Sequence, residues 1–328
     1  MIRNYFTTAI RSIQRSVGFS FINLIGLAIG LASCMFIALW INDELSYDRY
    51  LPNANRIYRI ILKETQWSQP RTPHPMPLAM VADFPEVTNG VSISPIWGIG
   101  LTRREFTVEY NNHKFEEKGF MSADSTFFQV FQFPFIAGDP ATALKNPMGI
   151  VITQSMAKKY FGKEQALGKM LKVDGNINLE VTGVVKDIPA NTHFTFDFLI
   201  SYVSLKARDR ANNNGNLPNY YTWNDFGHYN YIVLAPGADQ KTVEGKMNTW
   251  IWNYVKLTPE QKESVKENDT QLLLQPITSI HLHSNMIWEL GKNGNMAYVY
   301  AFSVTALLIL LIAIFNYMNL ATARSEKR

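Results

Sequence analysis

The chain has 328 residues, 47% of them hydrophobic, one cysteine and a formal net charge of +4. The excess lies at the ends: six of the 31 Lys and Arg but one of the 27 Asp and Glu fall outside residues 43–292, leaving 25 bases against 26 acids between. A balanced middle argues against nucleic acid as a partner, and a single cysteine excludes a disulfide framework, so the middle must fold on apolar burial.

At the start, Ile2, Tyr5, Phe6, Ala9, Ile10, Ile13 and Val17 recur at helical spacing, with Arg3, Thr7, Arg11 and Arg15 on other faces. Residues 1–17 are expected to form a basic amphipathic helix at the lipid interface, or against a cytoplasmic partner. Val17–Asn42 then runs 26 positions without a charge, and Asn293–Ala323 runs 31. About 20 apolar helical residues cross the ~30 Å core of a bilayer, so transmembrane helices are expected at 18–42 and 296–323. Arg3, Arg11 and Arg15 precede the first stretch, and Arg324, Lys327 and Arg328 follow the second. Lys and Arg collect on the cytoplasmic side. Both termini, including a tail at 324–328, are expected inside, with residues 43–295 outside.

Leu31-Ala32-Ser33-Cys34 has the look of a lipoprotein-processing box, but Met35–Ile41 continues apolar where a cleaved signal turns polar. An uncleaved span is expected. Gly26, Gly30 and Ser33 line one stripe of it, either as a seam for a second helix or as ordinary membrane-helix glycines. Asn316 and Asn319, one turn apart in the second span, need a partner or interfacial water.

The middle reads as mixed α and β. Arg56–Leu62 has the pattern of a strand; Pro70, Pro73, Pro75 and Pro77 then delay regular structure until a short helix near Leu78–Phe84. Ile99–Tyr110 and Lys114–Met121 are expected to pair around Asn111-Asn112. Asp124 or Ser125 is expected to cap a helix carrying Phe127, Phe128, Val130 and Phe131. Thr153 should precede a helix over Gln154–Phe161 that Gly162 ends, and Leu171–Val173 should pair with Leu179–Val185 across Asp174-Gly175. Residues 204–227, rich in Asn and Gly, suggest a surface loop. A strand at Tyr229–Leu234, a helix capped by Asp239 with Val243, Met247, Trp250, Ile251 and Tyr254 on one face, and a strand at Gln271–Leu274 complete the reading.

No catalytic constellation emerges, and no catalytic, cofactor-binding or metal-binding residue is assigned. Gly162–Lys169 mimics a phosphate loop but has five residues between its glycines and Met170 where a Mg²⁺-ligating hydroxyl belongs. His281 and His283 would share one side of a strand, as a metal pair or as ordinary surface residues; no Cys or neighbouring carboxylate supports a metal.

Several strings resemble the permease subunits of MacB/FtsX-type ABC transporters with their MacB-like periplasmic core domain. They include Ala9–Ile13, Ser20–Gly30, Asn55–Arg59, Phe127–Phe131, Ala137–Pro140, Val151–Thr153, Ala157–Gly162, Gly183–Asn191 and Asn316–Arg324. The resemblance implies a bacterial inner-membrane protein: two transmembrane helices flanking a large α+β periplasmic domain, porter-like, with an inserted β-rich subdomain near 125–225. It implies a cytoplasmic ABC ATPase subunit as partner, a second permease copy or half, the lipid bilayer and a periplasmic adaptor protein. It also implies mechanotransmission, in which ATP hydrolysis on the partner moves the outer domain to extrude antibiotic, peptide or lipoprotein cargo. Family permeases continue after the second span into a coupling segment and further spans, so an N-terminal fragment of a longer permease is expected. A two-span sensor, or a regulator of a cell-wall hydrolase, is the alternative.

Overall fold

The computed structural model describes residues 17–96, 105–111, 113–175 and 177–325. The expected interfacial helix, apart from Val17, lies outside the described residues, as do the first half of the strand expected from Ile99, Asn112 of its turn, and residues 326–328. The chain divides into two compact units. One holds both apolar helices; the other is the domain Tyr47–Asn293.

The first apolar helix runs Val17–Ser46 and the second Met296–Ser325. Each contains a 23-residue segment long and apolar enough to cross a membrane, Leu24–Ser46 and Met296–Met318. They pack through small residues. A Cβ built on Gly30 would lie 3.4 Å from the Cβ of Ala313, and one on Gly26 3.5 Å from Nδ2 of Asn316. Cys34, rather than Ser33, continues this stripe, its Sγ 3.3 Å from the Ala306 carbonyl. Beyond it Trp40 meets Phe302 edge-on at 4.9 Å. Asn316 thus stands beside Gly26.

In the domain, elements are numbered in chain order: β1 Ile57–Lys63, β2 Ser68–Gln69, α1 Met76–Asp83, β3 Val87–Pro95, β4 Phe106–Tyr110, β5 His113–Glu117, β6 Phe120–Ala123, α2 Phe127–Phe131, β7 Phe135–Gly138, β8 Gly149–Thr153 and α3 Gln154–Phe161. There follow β9 Met170–Val173, β10 Ile177–Val185, β11 Phe198–Ser201, α4 Tyr202–Asn212, β12 Tyr229–Leu234, α5 Gln240–Trp250, α6 Pro259–Glu267, β13 Gln271–Pro276 and the short α7 Ile280–His283. Eleven of the strands run β13-β1-β12-β3-β6-β11-β8-β10-β9-β4-β5 in one sheet; β2 adds to β1 and β7 to β10. Among the described residues only the β6–β11 and β8–β10 pairs are parallel.

The central strands are buried on both faces, and their side chains alternate between two cores. On β12, Tyr229, Tyr231 and Val233 face an aromatic core around α2, while Ile232 and Leu234 face α1 and α5. On β8, Val151 joins the aromatic core, whereas Ile150 and Ile152 pack with Tyr160, Phe161 and Leu205. This period of two is what the pleat imposes. The aromatic core is dense: Phe131 lies 5.0 Å from Phe194 and 5.2 Å from Tyr231, and Phe127 5.7 Å from Phe196, mostly edge-to-face.

Several local expectations change. Lys114–Met121 is not one strand: β5 lies at the sheet edge and β6 sits between β3 and β11. Gly119, at φ +75°, makes the break against Asp197, whose Oδ2 would lie 2.9 Å from an added Cβ. Residues 204–227 are not a loop throughout. Ser201 caps α4 by accepting from Val203 N–H, and a 3-10 turn spans Asn219–Tyr221, so the Asn-rich run only ends a helix. The residue before α2 is Thr126, whose hydroxyl donates to the Gly90 carbonyl instead of capping, while Asp124 accepts from Ser92 N–H. His281 and His283 lie in α7, not in a strand.

Candidate coupling site

The chain leaves the first apolar helix at Ser46 and enters the domain through Tyr47 and Asp48. Asp48 is fully buried in a left-handed conformation, φ 59°, which Asp tolerates better than most residues. Its N–H donates to the Asn191 carbonyl at 2.9 Å, and its Oδ1 accepts from His193 N–H at 3.2 Å. The His193 ring sits over the same carboxylate, Nδ1 2.9 Å from Oδ1, and its Nε2 is 2.8 Å from the Tyr231 hydroxyl on β12. The ring is held between the two, Nδ1 beside the Asp48 carboxylate and Nε2 beside the Tyr231 hydroxyl. At Tyr50, two residues after Asp48, the chain is held again: the Thr192 hydroxyl donates to the Pro189 carbonyl, so at 2.6 Å it accepts from Tyr50. Burial pushes the Tyr50 hydroxyl up to about 12.

The outgoing segment is fastened by one guanidinium. Arg59 on β1 has no solvent exposure. Its Nη1 and Nη2 donate to the two oxygens of Glu289 at 2.6 and 2.9 Å, and Nη2 also reaches Gln275 Oε1 at 2.7 Å and Ser284 Oγ at 3.0 Å. Planar, bidentate pairing of this kind is what Arg supplies and Lys does not. His281 stacks flat on Tyr47, ring centroids 3.4 Å apart, and Asn293 donates to the Ser284 carbonyl at 3.0 Å. The incoming segment is therefore bound through His193 to β12, and the outgoing segment through Arg59 to β1. A cavity of about 940 Å³ in the domain is lined by Tyr47, Lys118, Ile188, His193, Phe194 and Lys292.

A second polar cluster lies in the domain away from that cavity. His228 Nε2 is 2.6 Å from the Tyr220 carbonyl, which can only accept, so Nδ1 accepts from Tyr202 hydroxyl at 2.9 Å. Lys206 Nζ donates to His74 Nε2 at 2.9 Å, which leaves His74 Nδ1–H for Ser92 Oγ at 3.2 Å. Asp124 Oδ1 is 3.8 Å from His74 Nε2. Burial, together with His228 and Lys206, holds His74 down to about 2, and burial takes His228 down to about 4. Burial raises Asp124 to about 6 in spite of Lys206. Neither imidazole carries charge near neutral pH, so the cluster packs the core as a satisfied network.

Among the described residues no group of His, Cys, Asp or Glu is placed to hold a metal ion. His281 is buried against Tyr47 and His283 lies at the end of α7. Gly162–Lys169 follows a helix and precedes β9, the reverse of the strand-loop-helix order a phosphate loop needs. Asp48, His193 and Glu289 were not singled out by the sequence. Arg59, Pro189 and Asn191 lie in strings that carried the family resemblance, but nothing in one sequence marks an Arg as buried.

Residues 20–249 match the family model of the MacB-like periplasmic core domain. The chain belongs to that family. Its MacB-like domain resembles a crystal structure of a domain assigned to a permease protein from Porphyromonas gingivalis. That likeness has 18% identity and a TM-score of 0.54, over 69% of this chain and 91% of that one. The periplasmic region of MacB from Actinobacillus actinomycetemcomitans matches at 10% identity and TM-score 0.44, over 69% and 91%. The extracellular domain of the noncanonic ABC-type transporter YknZ from Gram-positive bacteria matches at 14% and 0.40, over 66% and 99%. No curated protein matches the chain. The MacB-like stretch contains Asp48, Arg59, His193 and Tyr231, whereas Glu289 lies beyond it.

Proposed function

We propose that this chain is the permease component of an ABC transporter, coupling ATP hydrolysis on a separate cytoplasmic ATPase to movement of its periplasmic domain. The observation that carries the reading is the family match over residues 20–249. The fastening of both domain ends supports it, because a relay of motion needs ends that do not slip. In this reading both termini are cytoplasmic, both apolar helices span the membrane, and two permease copies or halves act together with a periplasmic adaptor. The work done is extrusion of an antibiotic, peptide or lipoprotein cargo. Chemistry sits on the ATPase, and this chain supplies rods and a rigid body.

The test uses the complete permease with the ATPase encoded beside it, in nanodiscs. A Cys34→Ser background carries one spin label at Leu78→Cys, a position exposed on the domain. The distance between labels on two copies is measured with and without vanadate-trapped ATP. A shifted distribution is expected on trapping. An unchanged distribution in a preparation that hydrolyses ATP overturns the mechanical relay.

A further inference from the structure

Ile287 and Trp288 present apolar side chains outward from a loop that is otherwise tightly held. Ile287 is 47% and Trp288 53% exposed. Trp288 adopts φ 60°, a conformation that a bulky residue enters only under steric strain. Neighbours keep it there. The Tyr229 hydroxyl donates to the Trp288 carbonyl at 2.5 Å, and the Arg71 guanidinium lies 4.9 Å from the indole centroid and 5.6 Å from the Tyr229 ring. The next residue is Glu289, locked onto Arg59. The strained backbone, rigidly braced, leaves about half the surface of Ile287 and Trp288 open.

We infer that this tip is a lipid-interface anchor, with Ile287 and Trp288 seated at headgroup depth in the outer leaflet. The inference rests on the reading that the apolar helices span a membrane. Trp concentrates where a bilayer meets water, its ring apolar and its N–H wet. Charge favours lipid over a protein partner. Between Ser284 and Asn295 the one acid, Glu289, is held by Arg59, and the one base, Lys292, is exposed. Arg71, against the indole, also faces Asp225, so the cation the tip offers to phosphate is Lys292. Chain length agrees: Trp288 precedes Met296, the start of the second apolar helix, by eight positions. Eight residues reach at most about 28 Å, which bounds the tether between the tip and that helix.

Spin-label accessibility in nanodiscs tests this on the full chain in the Cys34→Ser background. Single labels go at Ile287→Cys, at Leu308→Cys inside the second apolar helix, and at Leu78→Cys on the domain. Oxygen and a water-soluble nickel chelate serve as the two relaxing agents. The expected result is a graded one: position 308 sees oxygen alone, position 78 sees the chelate freely, and position 287 falls between, at least threefold less accessible to the chelate than 78. Position 287 as open to chelate as 78, with 308 lipid-buried, overturns the anchor and leaves the membrane reading standing. Position 287 closed to both agents means a protein surface covers it, which also overturns the anchor. Position 308 open to chelate overturns the membrane reading and the anchor together.

Discussion

Asn248 on α5 completes both backbone groups of Leu272 on β13: its Oδ1 accepts from Leu272 N–H at 2.7 Å and its Nδ2 donates to the Leu272 carbonyl at 2.8 Å. One turn earlier, Glu244 accepts from Leu274 N–H at 2.8 Å, and Gln240 donates to the Leu274 carbonyl at 2.7 Å. The geometry works because four helical residues advance about 6 Å and two strand residues about 6.8 Å. Three polar side chains at helical spacing thus act as a neighbouring strand for the edge of the sheet, where an open edge would invite pairing with another chain.

Asn248→Leu keeps the volume and removes both bonds. Two backbone groups at the edge lose their partners, at about 1–3 kcal/mol each, and a domain of this size loses roughly 2–4 °C per kcal/mol. The thermal midpoint is expected to fall by several degrees, and size-exclusion chromatography should show association beyond that of wild type. A variant with unchanged midpoint and elution would show that α5 does not seal the edge.

Arg59 and Glu289 form a pair whose removal should be strongly non-additive. Arg59→Met leaves a nearly buried carboxylate without its counter-ion, a loss of about 3–5 kcal/mol. Arg59→Met with Glu289→Leu removes the stranded charge and should recover much of that loss. Chemical denaturation of wild type, both single variants and the double variant checks it. Additive losses would mean that the two side chains do not act as a pair.

Acid should weaken the domain through the His74 cluster. His74 and His228 have folded values near 2 and 4, below the ordinary 6.5, so the unfolded chain takes up their protons first. The stability they contribute is whole above pH 6.5 and is lost as pH falls. Asp124 acts oppositely: its folded value near 6 exceeds the ordinary 3.8, so its contribution is present at low pH and lost as pH rises through 6. Between pH 6 and 4 two groups outweigh one, a net slope on the order of 1.4 kcal/mol per pH unit. Other carboxylates titrate there too, so the check is a difference. The stability of His74→Gln/His228→Gln should depend less on pH over this window than that of wild type, and equal slopes would rule the cluster out.

The helix seam predicts a cross-link. A Cβ on Gly30 stands 3.4 Å from that of Ala313, at the short end of the range a disulfide spans. In a Cys34→Ser background, Gly30→Cys with Ala313→Cys should oxidise to an intramolecular bond, seen as a gel shift reversed by reductant. A Leu24→Cys/Leu308→Cys control should not. Failure of the first pair would mean the two helices do not meet at Gly30.

Much of the architecture was legible because hydrophobic period and turn chemistry are local. β12, the β9–β10 pair and α5 with its Asp239 cap lie where the sequence reading puts them. Helix α6 was legible but unread: Thr258-Pro259-Glu260-Gln261 spells a capping box with Pro in the first turn, and both reciprocal bonds form. The fastenings were not legible. Asp48 meets His193 across 145 positions and Arg59 meets Glu289 across 230. Nothing in the residues near Arg59 shows which acid will neutralise it, since that is settled only when β1 lies beside β13.

That adjacency has a mechanical meaning. β1 and β13 are antiparallel neighbours, with Tyr58 opposite Pro276 at the end where the chain comes in and goes out. Tension that drew the two termini of the domain apart would peel this ladder open one rung at a time, the weak direction for paired strands. Arg59 sits at the second rung, opposite Gln275, and its fork to Glu289 rivets the outgoing segment across the point where peeling would begin. A tug on either end must then break this ion pair before the hem can unzip.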